Sequence, residues 1–222
     1  MKKRKRNKAE AKTRDRKATE EKLIRTTGDL FRKNGYQSLK TALIAREAGV
    51  DRNLIYRYFG DVAELFKRYL FGQDFWMGYQ NNLDDMIESG RHDDGKSLAK
   101  NLLVSQLKYF SENSQMQELI HWEISESNQI GRGISDERER MGEEMFVLTE
   151  KHFDGGDVNF RAVQMILIAG VYYMVLHAKT NGSTFCGLDI NNKDQFAIVE
   201  KTLQQMVDWA YYFGNGSQSG GK

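Results

Sequence analysis

Not one of the 222 residues is a proline, and nothing else in the sequence constrains the fold so tightly. Proline interrupts helices because its ring fixes φ and removes an amide donor. A chain without it can run long helices wherever the apolar pattern allows. Here apolar residues recur mostly three and four apart, and strand-like alternation is scarce, so the chain reads as all-α. Glycines supply the breaks instead, at 35, 49, 90, 95, 131, 133, 155–156, 182 and 187. The pattern predicts helices over 19–34, 40–48, 52–58, 96–112, 116–126, 135–153, 158–180 and 192–213, and one long amphipathic stretch over 61–89.

Charge is divided sharply along the chain. Residues 1–70 carry 20 Lys and Arg against 9 Asp and Glu, whereas 71–222 carry 13 against 22. A basic head on an acidic body points to a polyanion partner for the head alone. The first 17 residues, opening Lys2-Lys3-Arg4-Lys5-Arg6, read as a disordered basic arm that follows phosphates or enters a minor groove, or else serves as a solubilising tail. The longest apolar run, Met165–Leu176, is 12 residues, short of the roughly 20 that span a bilayer. No apolar stretch follows the basic start, so no secretory signal is expected. A single cysteine, Cys186, excludes an internal disulfide and suits a reducing cytoplasm. The expectation is a cytoplasmic, soluble protein with no membrane partner.

Between Lys40 and Phe59 two short helices flank Gly49-Val50-Asp51. A tight glycine turn between two helices is how a helix-turn-helix offers its second helix to the major groove. Asp51 can cap that helix through the free amides of its first turn. Ile55 and Phe59 form the inner face, with Ile44, Ala45, Ala48 and Val50 behind them. The outer face presents Arg52, Asn53, Tyr56 and Arg57. Arg52 can pair with guanine, Asn53 with adenine, and Leu54 can touch a thymine methyl. Tyr56, Arg57 and Tyr58 can reach phosphates, which set register rather than sequence.

Over residues 20–66 the chain resembles the TetR family of regulators. The resemblance rests on Leu23-Ile24, Leu30-Phe31, Gly35-Tyr36, Ile44-Ala45, Ala48-Gly49-Val50, Ile55–Phe59 and Glu64-Leu65. It implies an all-helical homodimer with a three-helix DNA-binding head and a larger helical body that senses a ligand and dimerises. By position, Lys40 and Thr41 fall where helix 2 meets phosphate. Arg52, Asn53 and Leu54 fall on base-reading positions, and Tyr56 and Tyr58 on backbone-anchoring ones. Four residues depart from the pattern. Leu39 replaces a usual threonine, leaving Ser38 or Lys40 to serve at the start of helix 2. Asn53 replaces a small residue, and Val62 stands where a lysine often meets phosphate. Gly28 lies inside helix 1, at a cost of about 1 kcal/mol against Ala.

The resemblance fades beyond residue 70. Residues 165–176 are apolar around the whole helix, so the helix must be covered on more than one side. Phe196, Val199, Leu203, Met206, Val207, Ala210 and Phe213 form a stripe on the last helix. These two helices read either as monomer core or as the paired helices of a four-helix dimer interface, which the resemblance favours, with Ile166, Ala169, Tyr172, Val199, Leu203, Met206 and Ala210 at the contact. The resemblance also implies a cavity for a small apolar or amphipathic effector. Its candidate lining is Trp76, Tyr79, Phe110, His121, Trp122, Phe146 and Tyr173.

The four histidines, at 92, 121, 152 and 177, lack metal-ligand spacing, and Cys186 has no basic neighbour to activate it. Neither enzyme chemistry, a metal nor a cofactor is expected. The domains read as arm 1–17, helix-turn-helix 18–66, effector-binding and dimerisation domain 67–213, and a Gly/Ser-rich flexible tail 214–222. The function that fits best is a transcriptional repressor released from a palindromic double-stranded DNA operator by an effector. Two others stand beside it: a DNA-binding regulator without a small-molecule effector, controlled by a protein or activating, and a helical protein whose basic head binds anionic membrane or RNA.

Overall fold

A computed structural model of the chain describes residues 2–182 and 184–214, with side chains for Thr13 and from Asp15 onward. It divides into two units, Met1–Gln73 and Asp74–Lys222. Both are helical, as the periodicity requires. The Gly/Ser-rich tail lies outside the described residues from Asn215 onward.

The first unit holds α1 (Lys2–Asn34), α2 (Thr41–Ala48), α3 (Asn53–Phe59) and α4 (Val62–Gln73). Residues 2–17, read from charge as a disordered arm, are instead the first half of α1. Their alanines and straight-chain Lys, Arg and Glu residues are good helix formers. An i,i+4 pair, Arg16 Nε to Glu20 Oε1 at 2.6 Å, carries the helix on toward its packed half. Leu23, Leu30 and Phe31 are buried there. The buried Thr27 hydroxyl donates to the Leu23 carbonyl at 2.8 Å. Gly35, at φ 74°, ends the helix. α1 packs on α2 and α4, around a core of Ile44, Ile55, Leu65, Phe66 and Leu70, all fully buried. Each such side chain contributes about 1.5–3 kcal/mol. Phe66 is the centre of this core, its ring 4.9 Å from Phe31 and 5.0 Å from Tyr36.

The amphipathic stretch predicted over 61–89 is broken in two. α4 stops at Gln73, a 3-10 turn covers Trp76–Tyr79, and α5 runs Leu83–Gly90. The break is made by Asp74, whose Oδ1 accepts the amides of Trp76 (2.9 Å) and Met77 (3.2 Å). A carboxylate capping those amides starts a new turn rather than continuing the old helix.

The second unit continues with α6 (Lys96–Glu112), α7 (Ser114–Ser125), α8 (Gln129–Phe153), α9 (Phe160–Asn181) and α10 (Lys193–Gly214). Gly131 and Gly133 do not break the chain as predicted but lie inside α8. Its start is set by Asn128, whose Oδ1 accepts the Gly131 amide at 2.6 Å. α6 is central, packing on α5, α9 and α10, while α8 packs on α5, α9 and α10 from another side. α9 has 22 residues and is long and apolar enough to cross a membrane by length and composition. Its helical length exceeds the 12-residue apolar run of the sequence because polar residues at both ends join the same helix. Leu167, Val171 and Val175 are buried within the unit, whereas Met165, Ile166 and Tyr173 are exposed.

Candidate nucleic-acid interface and body cavity

The turn between α2 and α3 is built as its sequence demands. Gly49 takes the left-handed conformation (φ 60°, ψ 41°), which suits glycine because it has no β-carbon. The Val50 amide donates to the Ala45 carbonyl at 3.0 Å and closes the end of α2. Asp51 Oδ1 accepts the Asn53 amide at 2.7 Å and starts α3, as expected. With Ile55 fully buried, the opposite side of α3 is fixed outward, and Arg52, Asn53, Tyr56 and Arg57 are exposed. Leu54 is half-buried at the edge of that face.

The phosphate-contact candidates come together in two groups. Thr41, the first residue of α2, has its hydroxyl 3.4 Å from that of Tyr56 on α3, with exposed Lys40 preceding it. On the other flank the half-buried Tyr58 ring lies between two guanidinium groups. Arg57 stands 5.0 Å from its centroid and Arg16 of α1 also 5.0 Å. Arg57 Nη2 also donates to the Tyr58 hydroxyl at 3.2 Å. Arg16 was not singled out by sequence, because only the fold brings α1 beside α3. Neither Ser38 nor Lys40 caps α2. The Ser38 hydroxyl donates to the Gly35 carbonyl at 2.8 Å, and Lys40 makes no side-chain cap. Leu39 is buried in the core instead. The uncapped first turn of α2 therefore keeps amide donors for an anion.

In the second unit α6, α8 and α9 enclose a cavity of about 240 Å³. Two of the predicted residues line it, Trp76 and Phe146, together with Tyr172 rather than Tyr173. Phe110 is buried in the core, its ring 4.9 Å from that of Tyr172. Tyr79 packs on Phe75 at 5.1 Å. His121 is exposed, and Trp122 is buried with its indole N–H on Glu126 Oε2 at 3.1 Å. Tyr173 is exposed, stacks with His177 and meets Phe185 edge-on.

The polar wall of the cavity is a residue that sequence did not mark. Arg138 donates from Nε to Asp74 Oδ2 at 2.8 Å and from Nη1 to both Glu123 oxygens at 2.9 Å. Ser135 also donates to Glu123. Although burial opposes its charge, the two carboxylates hold the Arg138 guanidinium above its ordinary range.

A second surface feature is apolar. Met165, Ile166 and Tyr173 on α9 are exposed, as are Ile198, Met206, Trp209 and Phe213 on α10. Of the residues predicted at a dimer contact, Ile166, Ala169 and Met206 are exposed and Val199 is half-buried. Leu203 and Ala210 are buried within the unit, and Tyr172 lines the cavity.

The family model for bacterial regulatory proteins of the tetR family matches residues 23–69. That span holds α2, the turn, α3 and most of α4. Over that span the head matches the tetR family. No curated protein matches the chain in sequence. Solved structures share its fold across both units. A Clostridium perfringens protein described as a fatty acid metabolism regulator gives a TM-score of 0.62 at 13% identity, covering 84% of this chain and 97% of the other. The fatty acid degradation regulator FadR of Bacillus halodurans gives 0.56 at 18%, with 84% and 96% covered. FadR of Bacillus subtilis, solved in complex with stearoyl-CoA, gives 0.56 at 17%, again with 84% and 96% covered. Such identities establish the fold. The chain therefore joins a helix-turn-helix head that matches bacterial regulatory proteins of the tetR family to a helical body.

Proposed function

We propose that this chain is a tetR-family DNA-binding regulator, a homodimeric repressor that leaves its operator when a small apolar or amphipathic effector enters the cavity. The reading is carried by the exposed polar face of α3 beside the uncapped start of α2. Arg52, Asn53 and Leu54 read base edges, while Lys40, Thr41, Tyr56, Arg57 and Tyr58 fix the backbone. Arg16 and the basic first half of α1 add phosphate contacts on the Tyr58 side.

The dimer forms through α9 and α10, and the exposed apolar stripe supports this. Seven large apolar side chains on two helices form a patch of the kind that a soluble protein covers with a partner. A second copy is the natural cover, because a helix-turn-helix of this type meets two half-sites one DNA turn apart. Covering α9 with protein also accounts for its apolar surface without a membrane and fits a cytoplasmic regulator. Ile166, Ala169, Met206 and Val199 join Tyr173, Trp209 and Phe213 in that interface. The cavity is the effector site, with Trp76, Phe146 and Tyr172 among its walls. The B. subtilis FadR complex with stearoyl-CoA supports a ligand-responsive body of this fold.

A mobility-shift titration tests the proposal, using the full chain and the DNA upstream of its own gene. A complex whose affinity falls steeply between about 50 and 200 mM salt is expected. A thermal-shift screen of small molecules should then find compounds that both stabilise the protein and release the DNA. Failure to distinguish the upstream fragment from random DNA would overturn the operator reading. Stabilising compounds that leave the DNA complex intact would overturn ligand-released repression.

A further inference from the structure

The cavity has a charge pattern that selects its ligand. Phe160, Gln164, Ile168 and Tyr172 of α9 all line it. Spaced four apart, they form one face about 18 Å long, so the space is elongated. The α6 wall, Leu98 to Leu103, contributes only apolar contacts. The charged lining residues among those described are Arg138 and Glu139. Arg138 is not available to an anion, because its guanidinium donates four hydrogen bonds to Asp74 and Glu123. One cation is thus held by two carboxylates, and Glu139 adds an exposed carboxylate at the rim. A ligand anion would meet no free positive charge and two surplus negative ones.

The unsatisfied groups in the wall are neutral. The Tyr172 hydroxyl is buried within hydrogen-bonding reach of the Trp76 and Gln106 side chains but makes no bond of good geometry to either, and Gln164 Nε2 makes none at all. Buried polar atoms left without partners are destabilising, and both of these belong to residues that line the cavity. A neutral hydroxyl, carbonyl or amide can satisfy either one without importing charge. The size agrees. About 240 Å³ lies just below the roughly 300–1,000 Å³ usual for ligand sites, which suits a small molecule.

We infer that the effector is an elongated, mostly apolar molecule without a carboxylate or other anionic group, whose hydrogen-bonding group meets Tyr172 or Gln164. This rests on the reading of the cavity as the effector site. Calorimetry on the full chain with 1-decanol and decanoate, two probes of one chain length, tests it. Decanol should bind at least tenfold more tightly than decanoate, and Tyr172→Phe should weaken decanol about fivefold. Gly142→Leu should abolish binding. A β-carbon on Gly142 meets only the edge of Phe146, at 3.8 Å, so a leucine there fills the space and leaves the helix intact. Should that variant not fold, Ala99→Leu obstructs the cavity from α6.

Decanoate binding as tightly as decanol, and lost in the obstructed variant, overturns the inference but leaves the cavity a ligand site. Decanol binding that survives obstruction, or no binding by either probe, overturns both.

Discussion

Gly28 of α1 and Tyr69 of α4 meet so closely that no β-carbon fits between them. One built on Gly28 would overlap the Tyr69 ring, with Cζ 2.7 Å and Cδ2 2.8 Å away. In sequence this glycine was only a weakness, costing helix 1 about 1 kcal/mol. In the fold it lets the two longest helices of the head approach, with Tyr69 buried between them. Gly28→Ala should therefore destabilise the head by about 1–3 kcal/mol, despite alanine's helix propensity. Urea denaturation measures this, and a gain in stability would contradict the contact.

Arg138 and its carboxylates form the buried polar centre of the body. Asp74 is fully buried as a side chain, and Arg138 and Glu123 are each 13% exposed. Arg138→Ala leaves two carboxylates without their cation, and a loss of about 3–5 kcal/mol is expected. Replacing only Asp74 with Asn keeps a cap for the Trp76 amide and should cost less. No measurable loss for Arg138→Ala in urea denaturation would contradict a stabilising role for the pair.

Asp208 of α10 accepts from Lys100 at 2.8 Å and pairs with Lys96 at 3.0 Å. The hydrogen bond from Lys100 leads in holding its carboxyl below the usual range. Because the folded state lowers this pKa, the stabilisation is present above the unfolded value of about 3.9. It is lost as pH falls through the lower folded value. The side chain is 40% exposed, so solvent screening limits the effect to under about 1 kcal/mol. Melting curves should show Asp208→Asn slightly less stable than the parent at pH 7, with the difference closing below about pH 3.

Trp209 is 52% exposed in the middle of the apolar stripe. Trp209→Glu places a charge there without a partner and should weaken the dimer at least about a hundredfold. Leu203→Ala, buried within the unit, should act on folding instead. Sedimentation at micromolar concentration separates the two. A parent chain that sediments as a monomer contradicts the dimer outright.

Much of the architecture was legible because helix punctuation is local. The ends of α6 fall on the predicted residues, and those of α2, α3 and α10 within one or two, since glycine, Asp and Asn act on their immediate neighbours. The outward face of α3 was legible for the same reason, because Ile55 and Phe59 fix its inner side. The cavity was less so. α9 is apolar all round, and Tyr172 and Tyr173 are adjacent, about 100° apart on the helix. Nothing local says which one turns inward. Arg138 lies in the run Asp136-Glu137-Arg138-Glu139-Arg140, which reads as a solvated surface. Its burial depends on Asp74, 64 residues away. Such long-range pairing leaves no periodic trace.

The account rests most heavily on α3 as the element that reads DNA. Sequencing of DNA selected from a random pool, by the full chain and by Arg52→Ala, tests this directly. The parent should select a two-fold symmetric sequence with half-sites about one helical turn apart. Arg52→Ala should relax one position in each half-site, at about 1–3 kcal/mol, and leave the others unchanged. A parent that selects no symmetric sequence, or a variant whose selected sequence is the same at every position, would contradict the assignment.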